Sequence, residues 1–148
     1  MPDPIAPISR LESLYGDYLD AVTALERDRR FGEGIFGMKG GPADDPCHER
    51  FAAELRALLE EFAALSPPSG ELRETAEYLF TAPLRHPGPR TAYWMLIAVQ
   101  GLIRPLLGAL TPADAGALRA LLEKSYPRYA RMPVQNELLK ELAAREKA

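Results

Sequence analysis

Arg90-Thr91-Ala92-Tyr93-Trp94-Met95-Leu96-Ile97-Ala98-Val99-Gln100-Gly101-Leu102-Ile103-Arg104-Pro105-Leu106-Leu107-Gly108-Ala109-Leu110 is the stretch on which the fold turns. Its large side chains are apolar nearly all round the helical circle. A helix with no polar face is buried at the centre of a helical domain or inside a membrane. A membrane span needs about 20 consecutive apolar residues, and Gln100, Gly101, Arg104 and Pro105 break this one. The reading is a buried central helix over about 90–110, with Trp94 and Ile97 in the core. Pro105 should kink it, or split it after Ile103, because proline lacks an N–H and crowds the preceding turn.

Toward the C-terminus, Thr111-Pro112-Ala113-Asp114 is a capped helix start, with Leu118, Leu121, Leu122 and Tyr126 at inward spacing. Pro127 and Pro133 bracket a turn, and a last helix carries Val134, Leu138, Leu139 and Leu142. Toward the N-terminus, Pro83 to Pro89 is a break. Before it a short helix over about 71–80 turns Leu72, Ala76, Leu79 and Phe80 inward and leaves Glu71, Glu74 and Glu77 to solvent. Ser66-Pro67-Pro68-Ser69-Gly70 is a hard stop. The helix before that opens at Asp45-Pro46, an N-cap followed by a proline suited to the first helical position, and lines up Cys47, Phe51, Leu55, Leu58 and Phe62. The first helix starts at a capping box, Ser9-Arg10-Leu11-Glu12, and repeats apolar residues at Leu11, Leu14, Tyr15, Tyr18, Leu19, Val22 and Leu25. Arg27, Arg29 and Arg30 suit its C-terminal dipole. No run alternates with a period of two. The expected fold is therefore all-α: one domain over 1–148, a bundle of five to six helices around the central apolar helix. It carries an N-terminal extension over 1–8 and a long Gly-rich loop over 29–45 between the first two helices.

The chain has 148 residues, 47% of them hydrophobic and 26% charged, with a net charge of −3. A chain of this length buries roughly 70% of its unfolded surface, enough for one core. The slightly acidic balance argues against non-specific nucleic-acid binding, which needs an excess of Lys and Arg. The single cysteine excludes an internal disulfide and suits a reducing cytoplasm. The Met1-Pro2-Asp3-Pro4-Ile5 start has neither a basic nor an apolar region, so no signal peptide is expected.

The chemistry-bearing residues gather in two places. One is the Gly-rich loop with the helix start after it. Gly37-Met38-Lys39-Gly40-Gly41 lacks the Lys-Ser/Thr order of a phosphate-binding loop. Asp44, Asp45, Cys47 and His48 are metal-ligating types, but neighbours in sequence cannot all face one ion, and only one further histidine, His86, exists. Cys47 in a first helical turn has the setting of an activated thiol, yet His48 beside it in sequence points elsewhere. The simpler expectation is that Asp45 caps the helix, Cys47 packs beside Phe51, and His48 lies near solvent. Neither a metal nor a cofactor is called for. Ile35, Phe36 and Met38, with Lys39, Asp44 and His48, are instead candidate contacts for a partner, since apolar loop residues mark such contacts.

The other place is the start of the central helix, where Arg85, His86 and Arg90 surround uncapped backbone N–H groups and could hold a carboxylate or phosphate. The plainer expectation there is pairing with acidic residues of neighbouring helices. Lys124 to Arg131 mixes cations with Tyr126 and Tyr129, as a proline-terminated helix end does. Together these readings favour a small cytoplasmic interaction or regulatory module that docks a protein partner or a second copy of itself through the loop, with no nucleic acid and no membrane. The alternative is an enzyme or anion-binding protein with a pocket near His48, His86, Arg85 and Arg90.

Overall fold

The computed structural model describes residues 6–31, 46–85 and 90–147. All regular structure among them is helical: α1 (Ala6–Phe31), α2 (Pro46–Ala64), α3 (Ser69–Arg85), α4 (Arg90–Ala98), a 3₁₀ segment (Val99–Ala109), α5 (Pro112–Ser125), a 3₁₀ turn (Arg128–Ala130) and α6 (Pro133–Lys147).

Local chemistry explains most of the boundaries. Thr111 caps α5: its Oγ1 accepts from the Asp114 amide at 3.2 Å, and Pro112 follows where no N–H is needed. α2 ends at Leu65 and Ser66, whose amides bond back to Phe62 and Ala63. Ser66 takes a positive φ of 50°, the left-handed turn that glycine usually supplies, and the two prolines after it prevent further helix. Pro133 opens α6, and the Gln135 side chain reaches back to the Met132 amide at 2.9 Å, as in half of a capping box.

Four boundaries differ from the sequence reading. α1 begins at Ala6, so Ser9 lies inside it rather than capping it, and the extension over 1–8 is shorter than expected. Pro7 is tolerated there because first-turn amides have no helical acceptor. α1 also runs on to Phe31, taking in Arg29 and Arg30, both good helix formers, so the first three residues of the loop expected over 29–45 are helical. Its residues 32–45 lie outside the described residues.

α3 extends to Arg85 with Pro83 inside it. Pro83 cannot donate to the Leu79 carbonyl four residues back. The buried Gln100 side chain donates to that carbonyl instead, at 3.2 Å. The Tyr126 hydroxyl donates to the adjacent Phe80 carbonyl at 2.7 Å. Gln135 then donates to Gln100 Oε1 at 3.1 Å. A proline that would have ended the helix is accommodated because a buried polar network takes over the carbonyls.

The expected continuous central helix is two pieces. Regular α-helix stops at Ala98, and the 3₁₀ coil carries Pro105 through to Ala109. In an α-helix Pro105 would crowd the Gly101 carbonyl, and the tighter coil changes that register. Gly101 also sits where a Cβ would come within 2.8 Å of Val134, so the close approach of this segment to α6 requires glycine. α3 packs on α1, α4, α5 and the 3₁₀ segment, and that segment meets α2, α3, α4 and α6. Ala92, Leu96 and Ile97 of α4 are buried, whereas Trp94 is 46% exposed. The placement of Trp94 in the core is thus corrected: α4 lies against α3 and α6 on one side, and no other described helix covers its outer side. Ala92–Ala109 is long and apolar enough to cross a membrane by length and composition, and 44% of it is buried within the fold.

Surface ion pairs tie the ends together. Arg119 meets Glu146 and Glu123, Arg104 meets Glu141 and Glu137, and Arg10 meets Glu61. At the α3–α5 junction Ser69 and Arg73 both hold the Asp114 carboxylate. These contacts, the Ser69 hydrogen bond first, keep Asp114 below its ordinary carboxylate range.

Candidate functional site

His48 is the residue the structure moves furthest from its expected place. It is buried in the third position of α2, not near solvent, and its Nδ1 lies 2.7 Å from the Tyr18 hydroxyl of α1. The reason lies in the spacing. His48, Phe51, Leu55, Leu58 and Phe62 form one stripe of helical period, and every member is buried. Burial, with a smaller contribution from nearby Cys47, raises the Tyr18 phenol well above its usual range. The phenol therefore stays protonated, and it shares one hydrogen bond with Nδ1 whose donor depends on the imidazole tautomer. Nε2 has no hydrogen-bond partner among the described residues. Cys47, half-buried against the core, shares a small cleft with Leu14, Asp17, Tyr18, Arg50 and Phe51.

The rings continue from this pair across the molecule. Tyr18 stacks on Phe51 with centroids 4.2 Å apart; Tyr15 meets Phe51 edge-on at 5.1 Å and Tyr78 at 5.2 Å. At the far end the Arg85 guanidinium lies 4.4 Å from the Tyr78 ring centroid. His48 and Arg85, which the alternative reading placed in one pocket, are thus separated by a row of aromatic rings. Arg85 borders a different hollow, a wide groove of about 860 Å³ with Ile8, Glu74, Tyr78, Leu84 and Leu121. Among the described residues its partners are not the expected acidic side chains but the Tyr78 ring and the Tyr78 carbonyl. A cation over an aromatic face is stabilised by the ring quadrupole.

Ile35, Phe36, Met38, Lys39 and Asp44 of the loop, and His86, lie outside the described residues, as does the side chain of Arg90. No group of three or more His, Cys, Asp or Glu able to hold a metal occurs among the described residues.

The uncovered face of α4 and the 3₁₀ segment is the feature that sequence reasoning missed. Trp94 and Ala98 are exposed one turn apart, Gly101 and Leu102 are half-exposed, and Pro105 is exposed. Gly101, Leu102, Pro105 and Leu106 form one wall of a groove of about 400 Å³. The opposite wall is α2, with Leu59 and Ala63, and Arg56, Glu60 and Arg104 also line it. The floor is apolar and the rim charged, the usual make-up of a protein contact surface. The signal available in the sequence was an excess: this segment has more apolar side chains than one helix can bury on one side.

Comparison of the chain with protein-family models, with curated proteins and with solved structures gives no match in any of the three.

Proposed function

We propose that the protein is a small helical interaction module: a bundle built about the α4–3₁₀ unit that docks a protein partner or a second copy of itself. The contact would use the uncovered face of that unit together with the Gly-rich loop between the first two helices. The observation that carries this reading is Trp94, the only tryptophan of the chain, standing 46% exposed on an apolar face. Tryptophan is among the side chains most enriched at the energetic centres of protein interfaces. A cytoplasmic setting fits the lone cysteine. Anion binding near Arg85 and Arg90 is less well supported, because Arg85 already engages Tyr78 through both its ring and its carbonyl.

The test places a photo-crosslinking residue at position 94 and, separately, at the exposed Glu123 on α5. The captured protein is then identified and binding is rebuilt from purified components. Strong capture from position 94, little from 123, and loss of the rebuilt complex with Trp94→Lys support the reading. Equal capture from both positions, or a rebuilt complex indifferent to Trp94→Lys, contradicts it.

A further inference from the structure

We propose that the groove between α2 and the 3₁₀ segment is a two-fold contact with a second copy of this chain. The proposal rests on the reading of the molecule as an interaction module and names the occupant of its apolar face.

Charge and symmetry point to this occupant. Arg56 and Glu60 stand exposed on the α2 rim of the groove, one turn apart. They form no ion pair with each other or with any other described residue. Arg104 on the opposite rim, by contrast, is held by Glu141 and Glu137. Arg73 with Glu77 and Arg119 with Glu123 pair in this same order within their helices, whereas the charges of Arg56 and Glu60 are left for an outside partner. In a two-fold contact residue i of one copy meets residue j of the other, and j meets i. An axis crossing α2 midway between positions 56 and 60 runs the two α2 helices antiparallel. It sets Arg56 of each copy against Glu60 of the other, closing two ion pairs over the apolar floor of Leu59, Leu102 and Pro105. The aliphatic stem of Arg56 can lie along that floor while its charge reaches the partner. A net charge of −3 per chain offers little repulsion to a second copy.

Sedimentation equilibrium over a wide concentration range, at low and high salt, reads the result. The wild type is expected to move from monomer to dimer as concentration rises, and to weaken with salt because the pairs are exposed. Arg56→Glu alone places like charges at both contacts, as does Glu60→Arg alone. Each is expected to weaken dimerisation by about tenfold or more, since symmetry counts every change twice. An equimolar mixture of the two single variants restores both pairs between unlike chains, so a heterodimer should form where neither variant dimerises alone. Circular dichroism checks that each variant is folded. A wild type that stays monomeric throughout overturns the proposal, as do single variants that dimerise like wild type or a mixture that fails to recover. Capture of a different protein through position 94 by a monomeric wild type would leave the interaction-module reading standing while this inference falls.

Discussion

Tyr18 holds two neighbours at once: its ring stacks on Phe51 and its hydroxyl meets the buried His48, tying α1 to the first turn of α2. Replacing Tyr18 with Phe keeps the stack and removes the hydroxyl. His48 would then have neither ring nitrogen bonded among the described residues, a loss worth about 1–3 kcal/mol for a buried polar group. Urea unfolding should show a lower midpoint with an unchanged slope; an unchanged midpoint would mean that His48 draws its support elsewhere. The position of His48 was legible in the sequence, because it shares a helical stripe with Phe51 and Leu55. Histidine is ambiguous between core and surface, and reading it as a polar first-turn residue put it near solvent. Its partner was not legible: Tyr18 lies thirty positions away, and nothing local announces a phenol there.

Pro83 and Gln100 show the same limit between elements. The proline reads locally as a helix end because it cannot donate a hydrogen bond. What lets α3 continue is the Gln100 amide, 21 positions onward, on the carbonyl that Pro83 leaves free. Gln100 stood out in the sequence only as an interruption of an apolar run; a buried amide must be satisfied, and here it is. Gln100→Leu should therefore destabilise the fold by about 1–3 kcal/mol, because the Leu79 carbonyl is left without a partner in the core. Pro83→Ala restores a backbone donor to that carbonyl, so in the Gln100→Leu background it should recover part of the loss. A double-mutant cycle on unfolding free energies measures this coupling; strictly additive effects would show that the two residues act independently. Helix periods and caps made the all-α character and the core stripes of α2, α5 and α6 readable, since each depends on residues within a few turns. The 3₁₀ coil over Val99–Ala109 depends on the close approach of α6 at Gly101, which no local pattern contains.

At the scale of the whole molecule, four buried tyrosines are expected to make stability fall at alkaline pH. Burial raises the Tyr15, Tyr18 and Tyr78 phenols above their usual range and pushes Tyr126 up to about 12. Unfolded phenols lose their protons near pH 10 while folded ones keep them. Stability is thus fully present below about pH 10 and falls as pH rises toward and through the folded values, by about 1.4 kcal/mol per pH unit for each such phenol. Tyrosinate absorbance and circular dichroism followed together should show these phenols ionising only as helix is lost; ionisation with the helices intact would contradict their burial. The length and composition of residues 90–110 argued for a core helix, and they could not reveal that α3 and α6 cover only one side of it. That uncovered side is the basis for reading the protein as an interaction module, and Trp94 reports on it directly. The decisive measurement is Trp94 fluorescence, with acrylamide quenching, across a dilution series and with any partner rebuilt from the position-94 capture. The account predicts red-shifted, readily quenched emission in the dilute free protein, moving to blue-shifted, protected emission as the protein concentrates or the partner is added. Emission that is blue-shifted and protected at every dilution, or exposed and quenchable under every condition, would contradict it.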